Sequence, residues 1–214
     1  KTGELPELEI ELPISVAQLN PAGVLTLAGD DHLIMEVNGT AYQLSPGSFF
    51  QVNTLQAGGM VDDLLEHLPL SRKVVLMDVY CGVGLFSRFL APKVKRLIAI
   101  ELSSSACDDF TENLDPFDNV ELYMDAAGNI LPILDVRADV MVFDPPRAGL
   151  EKHAMEAILK KLPPVIAYVS CDPATLARDA KLLIAAGYRL VRVQPFDLFP
   201  HTSHIESINY FHLA

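Results

Sequence analysis

Cysteine is scarce in this sequence: Cys81, Cys107 and Cys171 are the full complement, and none belongs to a C-x-x-C pair. Such spacing offers no zinc or iron–sulfur ligand set. An odd number of widely separated cysteines argues for a reducing compartment, and the cytoplasm is the expected location. Long apolar runs are missing as well, because charges interrupt every stretch before the roughly 18 residues that a membrane span needs. The opening Lys1-Thr-Gly-Glu-Leu-Pro-Glu7 has no apolar segment of the signal-peptide kind. Positive charge is absent over a long stretch: from Thr2 to Ser71 there is no lysine or arginine, against ten aspartates and glutamates. A free-standing nucleic-acid binder should carry a basic face, since phosphate neutralisation dominates affinity. Any nucleic acid is therefore handled locally or with help.

What is present describes a globular α/β chain. Its 214 residues leave room for one such domain with a modest appendage, at about 150 residues per domain. Half of the residues are hydrophobic and 21% are charged, which excludes disorder, collagen and coiled coil. There are 28 acidic and 16 basic residues, a net charge of −12.

The first 50 residues read as β structure, with Leu33–Val37 and Thr40–Leu44 flanking Asn38-Gly39, a strong signal for a tight hairpin. A helix is expected over Leu55–Leu68, ending before Pro69. Strands and helices then alternate. Strands are expected at Lys73–Val79, Arg96–Glu101, Val120–Met124, Asp139–Phe143, Val165–Ser170, Tyr188–Phe196 and Ser207–Leu213. The intervening helices are expected at Leu85–Ala91, Ser104–Leu114, Lys152–Lys161 and Ala174–Ala186. Continuous apolar runs such as Val74-Val-Leu-Met77 and Val140-Met-Val-Phe143 suit a parallel sheet covered on both faces. The last two strands have no helix between them, so that end of the sheet should be antiparallel. Ligands in such sheets bind beyond the carboxyl ends of the strands. Here those ends are polar: Asp78, Glu101, Asp125, Asp144 and Cys171 each sit at or just past one.

In Asp78-Val-Tyr-Cys-Gly-Val-Gly-Leu-Phe-Ser87, Gly82 and Gly84 would let the backbone approach a ligand at a helix start. A purely structural glycine turn would look the same. Glu101 is placed to accept hydrogen bonds from a ribose diol, which fits any adenosine cofactor. A dinucleotide fingerprint would want a third glycine where Ser87 stands. Asp78 would repel a pyrophosphate and favour a cationic ligand, which tilts the balance toward S-adenosylmethionine. In Asp144-Pro-Pro-Arg147 the prolines either stiffen a turn that holds a carboxylate over the pocket or simply make a solvated turn. Cys171, in Ser170-Cys-Asp-Pro173, is either a small core residue or a nucleophile whose thiol pKa is depressed by the following helix. His201 and His204 lack a third metal ligand, and Glu206 is a strand end or a general base.

Taken together, these residues resemble the RNA 5-methyluridine methyltransferases. The resemblance rests on Ser48-Phe-Phe-Gln-Val-Asn53, the Asp78–Gly84 segment, Asp144-Pro-Pro-Arg-Ala-Gly149, the Val169–Asp179 segment and Phe199-Pro-His-Thr-Ser-His-Ile-Glu-Ser207. It runs in order from about Tyr42 onward, some four fifths of the chain. It implies a Rossmann-like class I methyltransferase fold: a mostly parallel seven-stranded sheet with helices on both faces, preceded by a short β-rich segment. Residues 1–50 would be a remnant of a central domain and 51–214 the catalytic domain. The cofactor implied is S-adenosylmethionine, contacted by Gln51, Tyr80, Gly82, Gly84, Glu101, Asp125 and Asp144. Cys171 would be the nucleophile and Glu206 the base, with no metal. Leu85 stands where some members have a cofactor-contacting Asn. Members usually carry an N-terminal RNA-binding barrel and a longer central domain, so this chain looks like a C-terminal portion or a minimal member.

The implied reaction is methylation of uridine C5 in tRNA or rRNA, through a covalent Cys171 adduct at C6 from which Glu206 removes the C5 proton. The uridine must leave its stack to react, and Phe49 or Phe50 offers a stacking face or is core. Two other readings stand beside this one. An amino-group methyltransferase on adenine or guanine uses an aromatic where Arg147 stands and needs no Cys171. A cofactor-binding fragment would turn nothing over. The protein is expected to be a monomer that binds S-adenosylmethionine readily, with RNA as its other partner and no membrane. RNA affinity of the chain alone should fall no tighter than about 10⁻⁴ to 10⁻⁶ M. Calorimetry with the cofactor and an RNA titration across a salt series check both halves, and nanomolar RNA binding at physiological salt would refute the second.

Overall fold

Leu76, Leu97, Val140 and Ala167 lie in one buried cluster, while their chain neighbours Met77, Ile98, Met141 and Ile166 lie in another. That period of two is the signature of strands buried on both faces. The computed structural model, which describes residues 14–20 and 23–214, places them in one seven-stranded sheet. Its parallel strands are β5 (Val75–Val79), β6 (Arg96–Glu101), β7 (Val120–Met124), β8 (Val140–Phe143) and β9 (Val165–Ser170). Two antiparallel strands complete it, β10 (Tyr188–Phe196) and β11 (Glu206–Leu213). The spatial order is β10-β11-β9-β8-β5-β6-β7. The chain moves outward from β5 to β7 and then returns to β8, so the switch point lies between β5 and β8. A crevice opens there at the carboxyl ends.

Helices α1 (Thr54–His67), α2 (Leu85–Leu90) and α3 (Ser104–Leu114) cover one face. Helices α4 (Ala127–Ile133), α5 (Lys152–Lys161) and α6 (Pro173–Ala185) cover the other. This is the expected class I methyltransferase architecture, with element limits within two residues of those read from the sequence. The exception is α4, which the sequence reading left out. Gly128 and Pro132 are poor helix formers, but burial of Ala127, Ile130 and Leu131 under the sheet holds the short helix in place. No described helix is long and apolar enough to cross a membrane.

Ahead of the sheet stand two hairpins, β1 (Val16–Asn20) with β2 (Gly23–Ala28) and β3 (Leu33–Val37) with β4 (Thr40–Leu44). The readings that fall on residues 1–13 and 21–22 lie outside the described residues. In the second hairpin Asn38 and Gly39 both take positive φ, as a two-residue turn requires. The Asn38 amide donates to Gly58 O and Asp62, which ties that turn to α1. Residue 50 is not a break in packing: Val37, Tyr42 and Leu44 are buried in the same cluster as α1 and the sheet.

Two side chains of α3 reach back to this hairpin. Asn113 bonds both backbone groups of Gln43 and also donates to Val83 O beside the glycine loop. Buried Asp109 accepts from Ser45 N at 2.9 Å, from the Ser45 hydroxyl at 2.7 Å and from the Ser48 hydroxyl. The segment leading to Gln51 is thereby fixed to α3. Asp109→Ala should strand these donors and destabilise the protein by about 2–4 kcal/mol, more than a neutral bond because the acceptor is charged. Amide exchange should rise most in residues 45–51. Denaturant unfolding and hydrogen exchange check this, and unchanged protection at Ser45 and Ser48 would contradict it.

Candidate active site

A cavity of about 700 Å³ occupies the crevice at the strand ends. Its size suits a nucleoside-bearing ligand. The loop after β5 forms one wall. Tyr80 holds a left-handed φ of 64°, with its own N–H and that of Cys81 both donating to Ile100 O. Gly82 follows at φ 53°, and a Cβ there would meet nothing within 4 Å, so its backbone faces open cavity. Gly84 works differently from the sequence expectation and does not line the cavity. A Cβ on Gly84 would lie 2.4 Å from Leu114 and 3.0 Å from Phe110, so this glycine serves the packing of α3.

Glu101 ends β6 with both carboxylate oxygens held. Oε2 accepts from Gly82 N, and Oε1 accepts from Leu102 N and Ser103 N. At the end of β7 the Asp125 carboxylate receives Ala126 N and the Asn129 amide on Oδ1, and these bonds keep it below the usual carboxylate range. Gln51 and Tyr80 line the same space, and the buried Gln51 Oε1 finds no partner among the described residues. Asp78 is not on the wall. It lies beneath the loop, accepts a 2.6 Å bond from Ser87 and is pushed up to about 6 by burial. The serine that replaces a third glycine therefore has a structural task.

At the other end of the cavity stand Asp144, Cys171 and Glu206. Asp144 follows β8, and its N–H donates to Val79 O across the switch point. Ser207 of β11 pairs with Ser170 of β9, which brings the next residues outward, Glu206 and Cys171, to the same end of the cavity, where both line it. Burial pushes Asp144 up to about 8, aided by the charges of Glu206 and Asp78. Burial also raises Glu206. The Cys171 thiol is raised too, first by burial and then by Glu206 and Asp144. This corrects the expectation of a thiol acidified by the helix start. Asp172, the N-cap of α6, occupies Ala174 N and Thr175 N with its own carboxylate.

Arg147 lines the cavity, with Nε 3.5 Å from Asp172 Oδ2. Glu151, the N-cap of α5, lines it as well. The sequence reading passed over Glu151, whose signal was its position immediately before a helix. Phe49 and Phe50 both line the cavity: Phe49 is 73% exposed, whereas Phe50 is half-buried and also packs on Tyr42 at 5.4 Å. Leu85 forms apolar wall, and its carbonyl accepts from the buried Tyr42 hydroxyl. His201 and His204 lie in the exposed β10–β11 loop.

The model of the family described as tRNA (Uracil-5-)-methyltransferase matches residues 29–212. The chain belongs to that family. A relative from Clostridium tetani named an RNA methyltransferase is 40% identical over 189 residues, 86% of this chain and 41% of its own length. One from Thermosynechococcus vestitus, also named an RNA methyltransferase, is 40% identical over 185 residues, 85% of this chain and 41% of its own. The chain thus spans about two fifths of the curated relatives it matches. Among solved structures, the Pyrococcus abyssi tRNA (uracil-54, C5)-methyltransferase in complex with S-adenosyl-L-homocysteine superposes with a TM-score of 0.76. It is 29% identical, and the match covers 88% of this chain and 46% of that one.

The raised carboxyls have a consequence for stability. Asp144 and Asp78 favour their protonated forms in the folded protein. Their contribution is complete below the ordinary carboxylate range and is lost as pH rises through about 6 and then about 8. The melting temperature of the cofactor-free protein should therefore fall over that window. Asp144→Asn should remove the upper part of the fall and leave the variant more stable than the parent near pH 9 by about 3 °C or more. Calorimetry across pH checks this, and parallel curves would refute it.

Proposed function

We infer that this chain carries the catalytic machinery of an S-adenosylmethionine-dependent RNA methyltransferase acting on uracil C5. The observation that carries the reading is the opposition of Cys171 and Glu206 at one end of a cavity rich in carboxylates. Five acidic residues, Glu101, Asp125, Asp144, Glu151 and Glu206, line it, with Arg147 the one basic lining residue among those described. Such a wall disfavours a pyrophosphate and suits a ligand bearing positive charge. The residues fit that cofactor. Gly82 leaves its backbone open to the cavity, and Gln51 and Tyr80 line it. Glu101 and Asp125 are pre-oriented acceptors for a ribose diol and an adenine amino group. Asp144 stands nearer the reacting end. When bound, S-adenosylmethionine supplies an electrophilic methyl group on a sulfonium.

The chain's own residues answer the weakness of uracil C5 as a nucleophile. The Cys171 thiolate forms a bond to C6, and the C5–C6 π electrons shift to give C5 enolate character. C5 then takes the methyl group. Glu206, buried and raised in pKa, accepts the C5 proton. The released electron pair re-forms the C5–C6 double bond as sulfur leaves. This is covalent catalysis completed by general base catalysis. The flipped base enters past Phe49, whose exposed ring offers a stacking face. Methylation of an adenine or guanine amino group would leave the Cys171–Glu206 pair without a task.

The test is a single-turnover assay at high concentrations of uridine-containing transfer and ribosomal RNA, with mass analysis of the product base. Cys171→Ala should abolish transfer while cofactor affinity stays within severalfold. Glu206→Gln should slow release by about 10²- to 10⁴-fold and leave a methylated protein–RNA adduct visible on a denaturing gel. With 5-fluorouridine in the RNA, the parent protein should be trapped in the same way. Full activity of the alanine variant would overturn the mechanism, and methylated adenine or guanine would overturn the reaction class.

A further inference from the structure

The loop that carries Arg147 is fastened to the helix that begins beside Cys171. Arg147 O accepts from the Thr175 hydroxyl at 3.2 Å. The Arg178 guanidinium donates to Ala148 O at 2.9 Å, and Leu150 N donates to the buried Asp179 carboxylate at 2.9 Å. Gly149 has φ +77°, and a Cβ there would stand 2.5 Å from the Arg178 guanidinium and 2.6 Å from Asp179. The positive φ favours glycine at this close approach to α6. The backbone of Arg147 is therefore set relative to α6, and its side chain reaches Asp172, the immediate neighbour of Cys171.

Charges face Cys171 from three elements. Glu206 comes from β11, Asp144 and Arg147 come from the loop after β8, and Asp172 caps α6. Two of the three carboxylates oppose a thiolate directly. The third, Asp172, has Oδ1 bound to two helix N–H groups and Oδ2 turned to Arg147. Arg147 alone among these groups favours the ionised sulfur. We propose that Arg147 is a positioning residue for the nucleophile: clamped onto α6 beside Asp172, it supplies the positive charge that lets Cys171 ionise among carboxylates. This rests on the reading of Cys171 as the nucleophile. It assigns Arg147 no contact with the uracil. Its side chain is 67% exposed, so solvent weakens its field, and the effect on the thiol is moderate.

The experiment measures the thiol and not the methyl transfer. The 214-residue protein, without RNA or cofactor, is alkylated with iodoacetamide across a pH series. Modification of Cys171 is followed by peptide mass spectrometry. Cys81 and Cys107 are buried and raised in pKa, so they report only unfolding. Arg147→Gln should move the Cys171 profile to higher pH and lower its rate near pH 8 by about two- to fivefold. Arg147→Lys should recover most of that loss, and Glu206→Gln should change the rate in the opposite direction. An unchanged profile in Arg147→Gln would overturn the proposal. So would a loss that lysine fails to recover, because the effect would then lie in loop geometry and not in charge. Failure of the uracil reading would show in the RNA assay and leave this profile intact, so the two are distinguishable.

Discussion

The hydrogen-bonded register between β9 and β11 decides whether Glu206 and Cys171 share one end of the cavity. Side chains alternate along a strand, so a slip of one residue would send Glu206 to the far side of the sheet from Cys171. Burial holds the register. Ile208, Tyr210 and Phe211 of β11 and Ile166, Tyr168 and Val169 of β9 are all sealed from solvent on one face or the other. A polar lock adds to it, since the fully buried Asn209 donates to Tyr168 O at 3.0 Å, directly across the pair. On the opposite face, the Tyr210 hydroxyl donates to buried Asp63 of α1 at 2.6 Å, which fixes the strand against the helix layer. The chemistry thus depends on ordinary core packing some distance from it.

The acids in and beneath the cavity fall into two groups, those raised by burial and those held by N–H donors. Burial raises Asp78, Asp144 and Glu206, and the charges of Glu206 and Asp78 raise Asp144 further. Glu101 and Asp125 are held directly by backbone and amide N–H groups. The cavity accordingly has a pre-oriented polar half and a strained acidic half.

Much of this was legible in the residues. Continuous apolar strands with polar ends announce a two-faced parallel sheet, and the absence of a helix between β10 and β11 announces the antiparallel end. Eight of the nine residues expected to line the site do so. The departures share a cause: a one-dimensional pattern does not show which neighbour a side chain meets. Gly84 looks like a twin of Gly82 until Leu114 and Phe110, from thirty and twenty-six positions onward, fill the space beside it. Cys171 looks acidified by a helix until Asp172 takes the helix donors and two distant carboxylates arrive. α4 was hidden by Gly128 and Pro132, whose local preferences the buried side chains override.

The order of strands also bears on how the molecule is made. β10 leaves the ribosome before β11, yet β11 lies between it and β9. Until β11 is synthesised, β9 presents an open row of unpaired amides and carbonyls, and β10 has no place in the sheet. An unsatisfied edge of this kind is where a nascent chain can join a neighbouring one. The step that protects the half-built sheet from association is the same one that brings Glu206 to Cys171. The arrival of a single strand thus closes the β9 edge and assembles one end of the cavity together.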